Sequence, residues 1–248
     1  MMTSKRGAFL IAVAAVAAAV AGATGGSVVA SFRSPHAAST PRGMAYAAYH
    51  TRLYHVSNAT NLIYATDTSG SIVKSFPCPN DTWGVEGGQH YFWTCTRSAT
   101  GLIYRINTTG SVETMFPAPA NATGITRDAT HLWVSSDATN YVYRMTMAGS
   151  LASSFAAPGA NSAGLDWDGN YLWLADAAAS GSTVYRLTTT GSVVWQFRVP
   201  FGRASGVAWD GTYVWYCDAQ DPKYVYRMTV GETGLGPASF GKIKALYE

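Results

Sequence analysis

The chain has 248 residues, a formal net charge of +3, 48% hydrophobic residues and only 12% charged ones. That balance supplies no basic field for a nucleic acid or an anionic membrane, and it is too apolar for a disordered segment. The three cysteines, Cys78, Cys95 and Cys217, lack metal-ligand spacing and form no disulfide framework pattern.

In chain order, Lys5 and Arg6 precede the apolar run Ala8–Ala21, and small residues follow. This is the layout of a secretory signal peptide. The run falls short of the ~20 residues that a membrane span needs. Residues 1–23 are therefore expected to be removed, with no membrane insertion afterwards. The product would be secreted, whether extracellular, periplasmic or at the cell surface. Export would permit a Cys78–Cys95 disulfide; three small buried thiols are the other reading.

From residue 26 the chain is a repeat. Gly43, Gly84, Gly124, Gly164 and Gly206 open five copies, spaced by about 40 residues, the period of four-stranded propeller blades. Each copy predicts four short strands. The first starts at the glycine, as in Gly164-Leu-Asp-Trp. The second is aromatic, as in Tyr171-Leu-Trp-Leu-Ala. The third reads Val-Tyr-Arg, and the fourth follows Gly-Ser, as in Gly191-Ser-Val-Val-Trp-Gln-Phe197. Aromatic and β-branched residues suit such pleated, half-buried strands, and Asp168-Gly169 and Asp210-Gly211 suit hairpin turns.

The N-terminal Gly26-Ser-Val-Val-Ala-Ser-Phe32 reads as a fourth strand with no first three before it. The fifth copy has only a degenerate fourth strand near Gly236–Phe240. The economical answer is ring closure, with the N-terminal strand completing the last blade. The expected fold is all-β: a five-bladed β-propeller of four-stranded antiparallel blades over residues 24–230. Residues 231–248 form a tail packed on or beyond it.

The run Gly-Leu-Asp-Trp-Asp-Gly-Asn-Tyr-Leu-Trp-Leu-Ala-Asp from Gly164 to Asp176, followed by Val-Tyr-Arg-Leu-Thr, resembles NHL-type repeats and streptogramin-lyase-like propellers. The resemblance spans residues 26–230. It implies a scaffold that binds proteins or ligands and only occasionally an enzyme. Five-bladed closure is also similar to tachylectin-type lectins and plant-type glutaminyl cyclases, but no motif of either is present. A lyase of that kind would need a His and Glu set with a metal. Glu86 is available and a histidine partner is not.

In a propeller, the turns between first and second strands and between third and fourth strands share one face. Here they are uniform, as at Asp168–Asn170 and Thr108–Gly110. The loops on the other face vary, as at 57–61, 96–101, 176–182 and 200–204, the last carrying Arg203. Rigid turns opposite variable loops point to the second face as the binding face. The residue before each opening glycine should ring the channel mouth: Arg42, Trp83, Thr123, Ala163, Ser205. Trp83 breaks the repeat, and could stack on a sugar or a peptide side chain or simply plug the channel. Glu86 and Asp166, two positions after their glycines, could hold a hard cation such as calcium or bond to neighbouring blades. The repeated Trp93, Trp133, Trp173 and Trp215, and Arg105, Arg144, Arg186 and Arg227, read as structural ladders. Trp195 has no equivalent and could be exposed on the outer edge or lie against the tail.

The sequons at Asn58, Asn80, Asn107 and Asn121 would accept glycans only in a host that makes them. The expected function is a secreted, non-enzymatic binding propeller that recognises a glycan or an extracellular protein through its loop face. The candidate ligand-binding residues are Arg42, Trp83, Glu86, Asp166 and Arg203, with no catalytic residue and no required cofactor. Two alternatives stay open. One is a structural subunit that self-associates through the N-terminal strand. The other is a metal-assisted lyase or hydrolase at Glu86 and Asp166.

Overall fold

A computed structural model describes residues 26–35 and 40–230; the expected signal peptide, 1–23, and the tail, 231–248, lie outside the described residues. Strand β1 (Val28–Arg33) comes first. Blade 1 comprises β2 (Pro41–Ala47), β3 (Arg52–Ser57), β4 (Leu62–Thr66) and β5 (Ile72–Pro77). Blade 2 comprises β6 (Thr82–Gly87), β7 (Tyr91–Thr96), β8 (Leu102–Asn107) and β9 (Val112–Pro117). Blade 3 comprises β10 (Ala122–Arg127), β11 (His131–Ser136), β12 (Tyr141–Thr146) and β13 (Leu151–Ala156). Blade 4 comprises β14 (Ser162–Trp167), β15 (Leu172–Asp176), β16 (Thr183–Leu187) and β17 (Val193–Arg198). Blade 5 comprises β18 (Ala204–Trp209), β19 (Val214–Asp218) and β20 (Tyr224–Met228), and β1 pairs antiparallel with β20 to complete it. The innermost strands contact one another in the order β2, β6, β10, β14, β18 and back to β2. The ring is thus a five-bladed propeller closed by its own N-terminal strand.

The opening glycines explain the repeat. A side chain on Gly164 would stand 2.5 Å from Gly206 Cα, and one on Gly206 would stand 2.8 Å from Arg42 O. One on Gly124 would stand 2.5 Å from Ala163 O. The innermost strands meet backbone to backbone around the axis, so only glycine fits. Those strands start two residues earlier than their glycines predict. The pairing register slips beside each glycine, as between Thr82 and Gly84, a β-bulge that two-residue alternation cannot reveal.

The core lies between blades as five clusters. The tryptophan ladder supplies them: Trp93, Trp133, Trp173 and Trp215 sit at successive interfaces. A carboxylate at the first hairpin turn anchors three of these indoles. Asp128, Asp168 and Asp210 accept from Trp133, Trp173 and Trp215 Nε1 at 2.9, 3.0 and 2.7 Å. The arginine ladder closes the set: Arg186 lies 2.7 Å from Asp168 and Arg227 3.6 Å from Asp210, each guanidinium also over its ladder tryptophan ring. Hydrogen bonds from Thr130, Trp133 and His131 hold Asp128 below its ordinary carboxyl range, although burial alone would raise it.

Blade 2 breaks this set. Gly88 occupies the aspartate position in the same turn, its N–H donating to Tyr91 O as Asp168 N–H donates to Tyr171 O. Trp93 Nε1 has no hydrogen-bond partner, and Arg105 pairs with Glu113 instead. Gly88→Asp should therefore stabilise the protein by about 1 kcal/mol, raising Tm by about 2–4 °C in a scanning-calorimetry comparison. A lower Tm would show that the side chain, whose Cβ would stand 3.0 Å from Tyr91 O, cannot be accommodated there.

Trp195 is not exposed on the outer edge, and the alternative of contact with the tail lies outside the described residues. It is 8% exposed and packs edge-on to Trp173 at 5.8 Å, while Trp209 stacks on Trp173 at 5.6 Å. Burial between blades, not contact with the exterior, accounts for it. The turns between third and fourth strands are near copies: Gly70, Gly110, Gly149 and Gly191 have φ of 91°, 89°, 87° and 90°. The Asn107 side chain builds one of them by accepting from Thr109 and Ser111 N–H, so that sequon coincides with the turn motif.

All three cysteines are free and buried. Burial pushes the thiols up, to about 11 for Cys78 and Cys217 and about 12 for Cys95. The fold favours their neutral form, so their contribution is complete below pH 9 and is lost as pH rises through 11 to 12. At pH 8 a thiol reagent such as dithionitrobenzoate should titrate no cysteine in the folded protein and three in denaturant. A fast reaction of the folded protein would contradict this packing.

Candidate functional site

The start of each innermost strand, with the loops that end the second strands, forms one face of the ring. Five-fold symmetry fails there. Thr123, Ala163 and Ser205 are buried and turned into the blades: Thr123 Oγ1 donates to Ser162 O at 3.0 Å and Ser205 Oγ to Pro41 O at 2.7 Å. Arg42 and Trp83 are half-buried at the same bulge position.

These two residues meet. Arg42 Cζ lies 3.9 Å from the Trp83 ring centroid, and Arg97 Cζ, from the loop after β7, lies 4.5 Å from the same ring. Arg97 is held by Asp137, at the equivalent position of blade 3, across 2.8 Å. Arg203 is fixed by Nε and Nη2 donating to Ala177 O at 2.9 and 2.5 Å. Burial lowers the Arg42 guanidinium below its ordinary range, and the charges of Arg97 and Arg203 lower it further. Arg42 and Arg97 therefore share one indole. A guanidinium stacked on a ring keeps its in-plane N–H edge free for a carboxylate or similar anion.

The acidic groups on this face are largely engaged in holding loops. Asp218 accepts from Arg203 and Gln220 N–H at 2.7 and 2.8 Å. Asp176 accepts from Asn161 and Ala178 N–H at 2.9 and 3.1 Å. Phe201, 53% exposed, stands two residues before Arg203 and stacks on Tyr226, which stacks on Tyr216.

Glu86 and Asp166 lie elsewhere. They are 1% and 0% exposed, each three residues past the bulge position of its strand, so roughly 10 Å down at 3.3 Å per residue. Thr126 Oγ1 lies 3.0 Å from Glu86 Oε2 and 3.3 Å from Asp166 Oδ1, and Asp166 Oδ2 accepts from Trp209 N–H at 2.6 Å. Blades 2 to 5 are thereby tied together around the axis. Among the described residues no group of three or more His, Cys, Asp or Glu side chains is placed to hold a metal ion.

Of the five residues expected to bind ligand, the structure thus joins Arg42 and Trp83, sets Arg203 within their field and buries Glu86 and Asp166 in an inter-blade row. Arg97 is the member that sequence reasoning missed. Its counterparts after the other second strands are Asn58, Asp137, Ala177 and Ala219. The symmetry break that singles out Trp83 also marks Arg97.

The sequence matches no protein-family model and no curated protein. Its fold is similar to solved structures. A glutaminyl cyclase from Myxococcus xanthus superposes with a TM-score of 0.66 at 10% identity, over 82% of this chain and 95% of that one. A streptogramin B lyase gives 0.52 at 19% identity, over 84% and 72%. The pyrroloquinoline-quinone-bound aldose sugar dehydrogenase of Streptomyces coelicolor gives 0.54 at 10% identity, over 82% and 97%. At such identities the likeness is one of fold. The streptogramin-lyase-like resemblance of the repeats thus holds at the level of the propeller, while the NHL assignment rests on the repeat motif alone.

Proposed function

We propose that this chain is a secreted binding propeller that engages an extracellular glycan or protein through the face carrying Trp83, without catalysing a reaction. One observation carries the reading: the repeat is kept where it builds the ring and broken where Arg42, Trp83 and Arg97 meet at the channel mouth. Scaffolded loops at one end of a rigid array are where binding residues concentrate. On the opposite face four of the five first turns share one hydrogen-bond pattern and offer little to discriminate a ligand; blade 1 departs from it at Ala48–Thr51.

The test is binding of the full exported chain to a glycan array and to immobilised extracellular proteins, in calcium and in chelator. Saturable binding is expected. Trp83→Ala should weaken it at least 10-fold, the scale of losing a central aromatic anchor. Binding that survives Trp83→Ala would contradict the assignment of the face. Binding abolished by chelator would direct attention to Glu86 and Asp166.

A further inference from the structure

Resting on that reading, we infer that the Trp83 mouth is an anion site that takes the carboxylate of an acidic saccharide, with Arg42 as its principal ligand. Arg42 is half-buried, and its Nε has no hydrogen-bond partner. Among the described residues no carboxylate stands within ion-pair distance of it, whereas Arg97 is paired with Asp137 and Arg203 is satisfied by Ala177 O. A guanidinium that is partly desolvated, without an ion-pair partner and on the same ring as Arg97 carries a standing electrostatic cost. An anion would relieve it.

The arrangement is also selective. Arg42 is oriented by its stack on Trp83, so its N–H edge is preorganised for a two-oxygen acceptor. Phe201 offers an exposed, rigidly backed ring on the loop that carries Arg203. A rigid aromatic ring against a guanidinium, as Trp83 lies against Arg42, suits a sugar that bears a carboxylate better than a flexible acidic peptide.

Isothermal titration of the full exported chain would use oligosaccharides ending in glucuronate, galacturonate or sialate, their methyl esters, and polyglutamate. At least one acid should bind, its methyl ester should bind at least 10-fold more weakly, and polyglutamate should compete poorly. Arg42→Gln should weaken binding about 10- to 100-fold, while Arg42→Lys, which keeps the charge but not the fork, should fall between. Arg52→Gln, opposite Ala47 at the far end of the innermost strand from Arg42, removes one charge on the opposite face and should leave affinity unchanged. Arg42→Gln should melt within a few degrees of the parent, since Arg42 Nε has no hydrogen bond to lose.

Equal binding of acid and ester, unchanged affinity in Arg42→Gln, or tighter binding of polyglutamate would each overturn the proposal. If the acids fail but a neutral glycan or a protein binds in a Trp83-dependent way, the anion assignment falls and the face assignment stands. If nothing engages Trp83, both fall.

Discussion

Removing residues 26–34 is expected to abolish the cooperative unfolding transition of the protein. Those residues supply the fourth strand of blade 5, with Ala30, Ser31, Phe32 and Arg33 opposite Arg227, Tyr226, Val225 and Tyr224. Without them β20 becomes an open edge, and the last blade loses its outer strand. The loss is more than backbone pairing. Phe32 lies 6.1 Å from both the Trp215 and His55 rings, and Gly70 of blade 1 sits against it. It is the clasp between blade 5 and blade 1. The same relation recurs where Gly149 lies over Phe116 and Gly191 over Phe155, so the closure reuses the ordinary joint between blades. Phe32→Ala alone should cost about 2 kcal/mol, less than a fully buried phenylalanine because Phe32 is only partly covered. Chemical denaturation followed by intrinsic fluorescence would measure both variants. A truncated protein that unfolds in one transition at the parent midpoint would contradict closure. Truncation could instead turn a soluble oligomer into monomers, which would favour exchange of the strand between copies.

Asp168→Ala should destabilise the protein by about 3–5 kcal/mol, the cost of stranding buried partners of a charge. Asp168 is 1% exposed. Its Oδ1 accepts from Asn170 and Tyr171 N–H at 3.0 and 2.8 Å, and its Oδ2 from Trp173 Nε1 and Arg186 Nε at 3.0 and 2.9 Å. Every neighbour is a donor. Asp168→Asn would turn an amide N–H₂ towards such donors, so it should cost nearly as much as alanine. Asp67 provides the contrast, because it orders an exposed turn through Ser69 and Ser71 N–H. Asp67→Ala should cost under about 1 kcal/mol. Equal denaturation midpoints for the Asp168 and Asp67 variants would refute the role assigned to the buried set.

The architecture was legible because each repeat carries its own constraints. Gly164 had to recur where backbones meet at the axis, and the tryptophans had to recur where blades meet. The orphan strand at Gly26–Phe32 could be matched to its blade by counting. The bulges were not legible, since they insert a residue into a strand without changing its composition. Nor was the environment of Trp195. It shares a cluster with Trp209, whose counterparts in blades 2 to 4 are Gly87, Arg127 and Trp167. At the mouth, a departure from the repeat identified Arg42 and Trp83, and the same criterion applied to the following loops would have added Arg97. The row through Glu86, Thr126 and Asp166 could not be distinguished from a cation site by spacing, because both uses call for oxygen-bearing side chains near the axis.

The most direct test of the binding face is a hydrogen–deuterium exchange footprint of the protein with a ligand taken from the array. Protection is expected in the segments around Arg42, Trp83, Arg97 and Arg203, with the turns at Asp168–Asn170 and Asn107–Ser111 unchanged. Protection confined to those turns, or to the outer strands, would place the partner on another surface and contradict the account.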